Sequence, residues 1–279
     1  MGARRGVGGA SGDGCRGEGP CCPGASGGSV TPWDLPGAAG NAVLVPGECA
    51  VLAHLRALAA SGRVPRLGIV GGTFDPIHRG HVEIGLAARD ELGLDALLFM
   101  SAGVPSFKRD AHLAGGADRL EMARLAVRDV PGVVGVSERE VIRAGVTYTA
   151  QTLAELAQVC PPGTQLTFVL GADSLETLPL WHDAPAIARL ARIAVAARAG
   201  HDVGAALERL RASGLGFDVV ALAHPAPDVS STLVRSRVRA GLPVDGLVPP
   251  AVAAYIAERD LYHATPEDGP GADVRHITS

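Results

Sequence analysis

Short apolar runs recur along the chain between residues 67 and 222, and several are separated by longer stretches with helical periodicity. Runs of about four to eight apolar residues between turn residues predict buried strands, whereas apolar residues spaced by three and four predict amphipathic helices. The predicted strands are Leu67–Val70, Ala96–Met100, Val133–Val136, Leu166–Leu170, Ile193–Ala196 and Phe217–Leu222. The predicted helices are Val82–Leu92, Arg119–Val130, Thr149–Val159, Ala184–Leu190, Val203–Ala212, Ser231–Ala240 and Pro250–Arg259.

Strands that alternate with helices of this length favour βαβ units, in which the strands form one parallel sheet. We therefore predict an α/β protein with a Rossmann-like, doubly wound parallel sheet and helices on both faces. In such a sheet, ligands bind beyond the carboxyl ends of the strands, near the point where the strand order reverses. The glycine-rich loop after the first strand is thus placed to meet a ligand.

Composition divides the chain into four segments. Residues 1–47 are predicted to be a disordered low-complexity arm, because the first 40 residues hold 13 of the 37 glycines and show no sustained period. Residues 48–65 are predicted to be a helix-prone appendage that packs loosely. The compact domain is expected to span residues 66–263, followed by a flexible tail over residues 264–279.

Charge, hydropathy and cysteine spacing argue against a nucleic-acid-binding, a membrane-spanning and a secreted protein. The net charge of −4 gives no basic face for nucleic acid, and no apolar run approaches the roughly 18 residues of a membrane span. The cysteines show no zinc-ribbon spacing, and no secretory signal is recognisable. We therefore expect reduced thiols in a cytoplasmic protein. The cysteines are Cys15, Cys21, Cys22, Cys49 and Cys160.

The loop after the first strand, GGTFDPIHRGH, carries two histidines three residues apart. Gly71 and Gly72 let the backbone approach a ligand, and a helix starting within the loop places His78 and His81 on one face of its first turn. A helix N-terminus offers N–H groups and partial positive charge, so it favours anions over cations. Phosphate binding is the favoured interpretation, and core or capping histidines and metal ligands are the alternatives.

A second polar segment, SSTLVR (Ser230–Arg235), opens the helix after the last predicted strand. Serine and threonine at a helix start present hydroxyl and N–H groups to an anion. Arg235 follows about one turn later, where a guanidinium can clamp the same polyphosphate. Taken alone, the segment is equally well explained as an ordinary capped surface helix.

Together, the two segments resemble the HxGH and SSTxxR signatures of the nucleotidylyltransferase superfamily, in the same order and roughly 150 residues apart. Further segments resemble the bacterial nicotinate-nucleotide adenylyltransferase family, and the likeness covers about residues 66–262. They are GVPSFK (Gly103–Lys108), TYTAQTL (Thr147–Leu153), GADSLETLPLW (Gly171–Trp181) and VPPAVAAYIAERDLY (Val248–Tyr262). The resemblance implies that residues 66–263 form a nucleotidylyltransferase domain.

The resemblance implies roles for the matching residues. Catalytic contacts with the ATP phosphates are implied for His78, His81 and Arg235. ATP binding is implied for Gly71, Gly72, Thr73, Phe74, Gly80, Ser231 and Thr232. Binding of the mononucleotide is implied for Lys108, Thr149, Asp173 and Trp181, whose indole would stack on the pyridine ring. No residue is assigned as a metal ligand, and Mg²⁺ is expected to accompany ATP, held mostly by phosphates and water.

The implied reaction is transfer of AMP from ATP to nicotinate mononucleotide, giving deamido-NAD and pyrophosphate in NAD biosynthesis. ATP and the mononucleotide are the expected partners, neither nucleic acid nor a membrane is expected, and a homo-oligomer is compatible with the sequence. Alternatives are adenylyl transfer to nicotinamide mononucleotide or phosphopantetheine, and a non-catalytic nucleotide-binding sensor. The departures from the family pattern are expected around the mononucleotide pocket. They are Ser101, Phe107, Asp118, Gln151 and His182.

Overall fold

The computed structural model describes residues 44–104, 113–197 and 203–263, all within one compact unit that spans residues 32–279. The strands are β1 (Arg66–Gly72), β2 (Ala96–Ser101), β3 (Val134–Ser137), β4 (Gln165–Gly171), β5 (Ala191–Ala196) and β6 (Val219–Leu222). The α-helices are α1 (Cys49–Ala60), α2 (Arg79–Leu92), α3 (Gly116–Val127), α4 (Arg139–Ile142), α5 (Thr149–Val159), α6 (Ala172–Leu175), α7 (Ala184–Leu190), α8 (Val203–Ala212), α9 (Ser231–Arg239) and α10 (Pro250–Glu258). Short 3-10 helices cover Pro46–Glu48 and Leu178–Leu180.

The six strands form one parallel sheet in the order β3-β2-β1-β4-β5-β6. The strand order reverses between β1 and β4, which are paired directly. This is the arrangement of a doubly wound sheet, and the crevice at the carboxyl ends of β1 and β4 is its ligand-binding position. The predicted fold class is confirmed.

Two hydrophobic cores cover the two faces of the sheet. Alternate residues of β1 point to opposite faces, so that Ile69 packs in one core and Val70 in the other, both fully buried. Helices α2, α3, α9 and α10 contribute to the core with Val70, and α1, α5, α7 and α8 contribute to the core with Ile69. Burial on both faces explains why β1 reads as a continuous apolar run in the sequence.

Helix α1 is part of the core. Val51, Leu52 and Leu55 lie on one face of the helix and are 0%, 1% and 0% exposed, in the core with Ile69. The expectation that this segment packs loosely is wrong, because its apolar stripe is completely buried against the sheet and α5 side of the domain. The other predicted domain bounds stay predictions.

Helices α4 and α6 carry no periodic signal in the sequence, because each is only four residues long. So short a helix is not stable on its own and depends on tertiary contacts. In α4 those contacts are polar: Arg139 and Glu140 are 5% and 8% exposed. The charged residues of α4 suggest a surface segment in the sequence, but Arg139 and Glu140 are buried.

Two further expectations are tested by the described residues. Cys160 is a free, buried thiol whose pKa is raised to about 11 by burial, whereas Cys49 is disulfide-bonded, so the expectation of reduced thiols is wrong for Cys49. Within the described ranges, the helices are all too short or too polar to cross a bilayer.

Candidate active site

A cavity of about 490 Å³ opens where the loops after β1 and β4 meet, at the reversal of strand order. It brings together most of the residues that the sequence singled out. Those lining it are Gly71, Gly72, Thr73, Phe74, His78, Gly80, His81, Thr149, Asp173, Trp181 and Ser231. Thr232 and Arg235 lie beside it without lining it, and Lys108 lies outside the described residues.

The two histidines form the N-terminus of α2. His78 is the N-cap, and its backbone N–H donates to Nδ1 of His81 over 3.2 Å, as one half of a reciprocal capping box. The rings are stacked with centroids 3.8 Å apart. The capping alternative is therefore confirmed, and it has a chemical consequence. A neutral His81 ring that accepts at Nδ1 carries its proton on Nε2, which can then act as a donor.

The rings of Phe74 and Phe168 line the same cavity as the histidines. The ring of Phe74 lies 5.0 Å from that of His81, edge to face, and Phe74 adopts a positive φ of 52°. A Cβ on Gly71 would lie 2.6 Å from the ring of Phe168, so only glycine lets this ring reach the cavity. Glycine at the end of β1 is thus required by a side chain of the neighbouring strand β4.

Helix α9 is fastened to the loop that carries the histidines. Its N-cap, Ser230, accepts a hydrogen bond from the backbone N–H of Leu233, and Ser231 Oγ donates to the carbonyl of Pro76 over 2.9 Å. Arg235 Nη1 donates to the backbone carbonyl of Asp75 over 2.7 Å. The two sequence signatures, far apart in the chain, are therefore joined by direct contacts.

Asp75 organises this junction. It is 2% exposed, and Oδ1 accepts hydrogen bonds from the Ala114 N–H and the Tyr262 hydroxyl. Oδ2 faces Arg235 Nη1 at 3.6 Å and makes no hydrogen bond to any described residue. Burial, followed by the charge of Asp75, raises the pKa of Tyr262, so this hydroxyl stays a donor at neutral pH. Asp75 thus contacts Arg235 through its backbone carbonyl and its carboxylate, and the Tyr262 hydroxyl donates a hydrogen bond to that carboxylate.

Arg119 is a second organiser, and it lies in the first turns of α3. It is 3% exposed and donates to the carbonyls of Thr73, Ala102 and Gly103 over 2.7, 2.5 and 2.7 Å. It therefore ties the loop after β1 to the loop after β2. Burial lowers the pKa of Arg119, opposed by the nearby Asp75 carboxylate. An arginine on a helix reads as surface in the sequence, so burial of this one is visible only in the structure.

The other end of the cavity is aromatic and polar. The Tyr148 and His182 rings are 4.1 Å apart, and both line the cavity with Trp181. Trp181 Nε1 donates to Thr177 Oγ1 over 3.2 Å, which fixes the indole. Thr149 is the first residue of α5, whose N-terminus carries no side-chain cap. An uncapped helix start beside an indole suits an anionic ring compound.

Most of the described departures from the family pattern do not reach the cavity. Ser101 is fully buried and accepts from Arg119 Nη1, Asp118 accepts from Tyr255, and Gln151 donates to Glu155 on the surface. His182 lines the cavity. Of the departures that the structure describes, His182 therefore lines the cavity, whereas the other three make structural contacts and do not line it. Phe107 lies outside the described residues.

Glu140 of α4 also lines the cavity, although nothing in its sequence context marks it as a site residue. Its Oε1 accepts from Thr152 Oγ1 over 2.8 Å. Burial raises the pKa of Glu140, opposed by hydrogen bonds from Thr152 and Thr147 and by the charge of Arg143. The wall of the cavity beside Thr149 therefore contains a carboxyl group that is a weaker acid than an ordinary glutamate.

Comparison with known proteins defines first the class and then the family. Residues 69–237 match the cytidylyltransferase-like family, which agrees with the doubly wound sheet and its cavity at the reversal of strand order. A relative from Dehalococcoides mccartyi (strain CBDB1), named probable nicotinate-nucleotide adenylyltransferase, is 44% identical over 200 residues, covering 71% of this chain and 97% of the relative. A relative of the same name from Chromobacterium violaceum is 39% identical over 212 residues, covering 71% and 98%. The chain belongs to the nicotinate-nucleotide adenylyltransferase family.

A solved structure supports the fold independently. Plasmodium falciparum nicotinic acid mononucleotide adenylyltransferase complexed with NaAD superposes with a TM-score of 0.59, covering 71% of this chain and 97% of the other. The sequences are only 15% identical, so this likeness concerns the fold alone.

Proposed function

We propose that this protein transfers AMP from ATP to nicotinate mononucleotide, forming deamido-NAD and pyrophosphate in the cytoplasm. The observation that carries the proposal is the junction of the two signatures at one cavity. The helix N-terminus with His78 and His81 is tied through Asp75 and Pro76 to the helix with Ser231 and Arg235. Family membership supports the reaction, and the geometry supports the part proposed for each residue.

The ATP phosphates are expected to bind at the N-terminus of α2. His81 would donate from Nε2, since its Nδ1 accepts the His78 N–H. The helix dipole and the first-turn N–H groups add favourable interactions with anions. Ser231, Thr232 and Arg235 would contact the triphosphate from the side of α9. Gly71, Gly72, Thr73, Phe74 and Gly80 would form the floor against which the nucleotide lies.

The mononucleotide is expected to bind at the aromatic end. Trp181 would stack on the pyridine ring, and the uncapped start of α5 at Thr149 would receive its carboxylate through backbone N–H groups. Asp173 also lines the cavity, and it would help to hold this part of the site. Lys108, which lies outside the described residues, is assigned to the reacting phosphates or the mononucleotide by the resemblance alone.

In the reaction, a phosphate oxygen of the mononucleotide attacks the α-phosphorus of ATP, and the bond from that phosphorus to the oxygen bridging to the β-phosphate breaks. The electron pair leaves with pyrophosphate, and no bond to the protein forms. Charge grows on the phosphate oxygens in the transition state, so fixed donors such as His78, His81 and Arg235 stabilise it more than the ground state. The protein supplies position and positive potential rather than a nucleophile.

A divalent ion fits this arrangement as a partner of ATP. Among the described residues, no group of three or more His, Cys, Asp or Glu side chains converges as a metal cage. Mg²⁺ keeps several waters and commonly binds through substrate phosphates, which suits a site built from N–H donors. When bound, it would neutralise charge on the phosphates and on the departing pyrophosphate.

The proposal is tested with ATP labelled at the α-phosphorus, supplied with Mg²⁺ and nicotinate mononucleotide. We expect the label in deamido-NAD, equal release of pyrophosphate, and no label on the protein. Label retained by the protein after denaturation would contradict direct transfer. Absence of any dinucleotide product would contradict the function itself.

Variants of His81 separate capping from catalysis. His81→Ala removes both nitrogens and is expected to lower kcat by about 10²–10³-fold, the scale for loss of one transition-state donor. His81→Asn keeps an acceptor near the Nδ1 position, so it should retain stability and lose the rate. His81→Gln places an amide nitrogen near Nε2 and should keep more of the rate. A wild-type rate in His81→Asn would show that His81 acts only as a cap.

A further inference from the structure

A chain of buried polar side chains connects the N-terminal helix to the wall of the cavity. Its first member is Glu48, which precedes α1 and lies outside the region that matches the family, residues 69–237. Glu48 is 0% exposed, so its charge is completely withdrawn from water. A buried carboxylate is costly unless it is paired, and this one is paired on both oxygens.

Arg139 is the partner of Glu48. Its Nε donates to Oε1 over 2.9 Å and its Nη2 to Oε2 over 2.5 Å, which makes the pair bidentate. Ser137 adds a third donor to Oε1 over 2.6 Å. Burial by itself would lower the pKa of Arg139, and the hydrogen bonds and charges of Glu48 and Glu155 outweigh it, so that the pKa is raised. The bidentate hydrogen bonds therefore hold the pair in one geometry.

The chain then continues to the cavity. Arg139 Nη1 donates to Glu155 Oε2 over 3.2 Å, and Arg143 Nη2 donates to the same oxygen over 2.6 Å. Arg143 Nη1 donates to Thr152 Oγ1 over 3.1 Å, and Thr152 donates onward to Glu140. Thr152 and Glu140 both line the cavity. Each link is a direct contact between described side chains.

The charges of this chain depend on one another. Arg139 and Arg143 both form ion pairs with Glu155. Arg139 also forms its shorter ion pair with Glu48. If the charge of Glu48 is removed, Arg139 interacts more strongly with Glu155 and draws this carboxylate away from Arg143. Arg143 then turns towards Glu140, whose carboxyl it already influences. The acidity and position of the cavity wall would change without any change in the cavity residues themselves.

We propose that Glu48 is a positioning residue for the mononucleotide end of the active site, through which the N-terminal helix outside the family match sets the geometry of Glu140 and Thr152. This inference rests on the proposed function, because the proposed function assigns the cavity wall with Glu140 and Thr152 to nicotinate mononucleotide. ATP binds at the opposite end, against α2 and α9, so its binding is predicted to be independent of Glu48.

The test compares three single variants of the full chain by steady-state kinetics and thermal unfolding. Glu48→Gln keeps the shape of the side chain and removes its charge. Glu155→Gln removes a charge in the middle of this series of polar contacts. The Glu155 side chain is 18% exposed, so this substitution should disturb folding less than Glu48→Gln does. Leu52→Ala is the matched control, because it removes apolar volume from the same helix without touching a polar member of the chain.

Both charge variants are expected to raise KM for nicotinate mononucleotide by about five- to tenfold and to leave KM for ATP within about twofold. Leu52→Ala should lower the Tm while both KM values stay within about twofold of the wild type. Unchanged KM for the mononucleotide in the charge variants, or an equal rise in Leu52→Ala, overturns the inference. If Glu48→Gln does not fold, Glu155→Gln decides by the same criteria. Failure of the wild type to form deamido-NAD would refute the proposed function instead, so the two failures are distinct.

Discussion

Replacing Tyr262 by phenylalanine removes a single hydroxyl that donates to Asp75 Oδ1 over 2.8 Å. Asp75 is 2% exposed, so the loss leaves a buried carboxylate with one hydrogen bond fewer on that oxygen. Hydrogen bonds to charged groups contribute about 1.5–3 kcal/mol, and we expect the free energy of unfolding to fall by about 2 kcal/mol. The chain offers a matched control in Tyr255, whose hydroxyl donates to Asp118 over 2.9 Å.

The two tyrosines differ in what their carboxylates hold. Asp118 is partly exposed, at 18%, and also pairs with Arg259 on the surface, so Tyr255→Phe should cost only about 0.5–1.5 kcal/mol. Asp75 faces Arg235, at 3.6 Å. Without the Tyr262 hydroxyl, the full charge of Asp75 acts on Arg235 and competes with the ATP phosphates for its guanidinium. We expect kcat/KM for ATP to fall about tenfold in Tyr262→Phe, equal to about 1.4 kcal/mol of transition-state stabilisation.

The assays are steady-state kinetics with varied ATP and equilibrium unfolding of both variants. In Tyr255→Phe, kcat/KM for ATP should stay within about twofold of the wild type. If Tyr262→Phe loses stability but keeps the wild-type kcat/KM, then Asp75 does not control Arg235 and the reasoning is refuted. Equal kinetic losses in both variants would refute it too, since only one of the two carboxylates lies beside the active site.

Three other predictions concern single cavity residues. Trp181→Ala should raise KM for nicotinate mononucleotide by about tenfold, with Trp181→Phe intermediate, because stacking on an aromatic ring contributes roughly 1–3 kcal/mol; an unchanged KM in titrations of the mononucleotide would place the pyridine ring elsewhere. Gly71→Ala should lower kcat, since the new Cβ would lie 2.6 Å from the Phe168 ring and must displace it from the cavity; wild-type kinetics in this variant would contradict the close approach. Burial raises the pKa of Glu140, so the folded state binds the proton to higher pH than the unfolded state, and stability falls as pH rises through that interval. Glu140→Gln should remove this fall from about pH 4 upward, and parallel denaturation profiles for variant and wild type would contradict the raised pKa.

Periodicity was sufficient to predict the parts of the fold that are buried on a regular face. The predicted bounds of α5, α7 and α8 agree with the structure residue by residue, and each strand was placed within a few residues of its observed bounds. These elements are specified by local apolar spacing, which is a property of the sequence itself. Helix α2 begins at Arg79, within the loop where its start was expected and three residues before the apolar pattern begins at Val82, with His78 as its N-cap.

The residues of the candidate site also fall into those that a local sequence pattern indicates and those that it does not. His78, His81 and Ser231 were found because their spacing is local and their motifs are contiguous in the sequence. Arg119, Glu140 and Tyr262 were not assigned to the site, since their roles depend on contacts with distant segments. Arg119 contacts the loops after two strands, and Tyr262 contacts Asp75 at a separation of 187 residues. Buried charges of this kind look like surface residues in the sequence until the partner is known.

The central claim is that one cavity holds ATP at the histidine end and nicotinate mononucleotide at the aromatic end. It is tested most directly by comparing kcat/KM for nicotinate and nicotinamide mononucleotides, each with saturating ATP and Mg²⁺. The uncapped start of α5 offers N–H donors, which suit a carboxylate better than a carboxamide. We therefore predict deamido-NAD formation with nicotinate mononucleotide preferred by at least about tenfold. Equal use of both acceptors, or preference for the amide, would contradict the account.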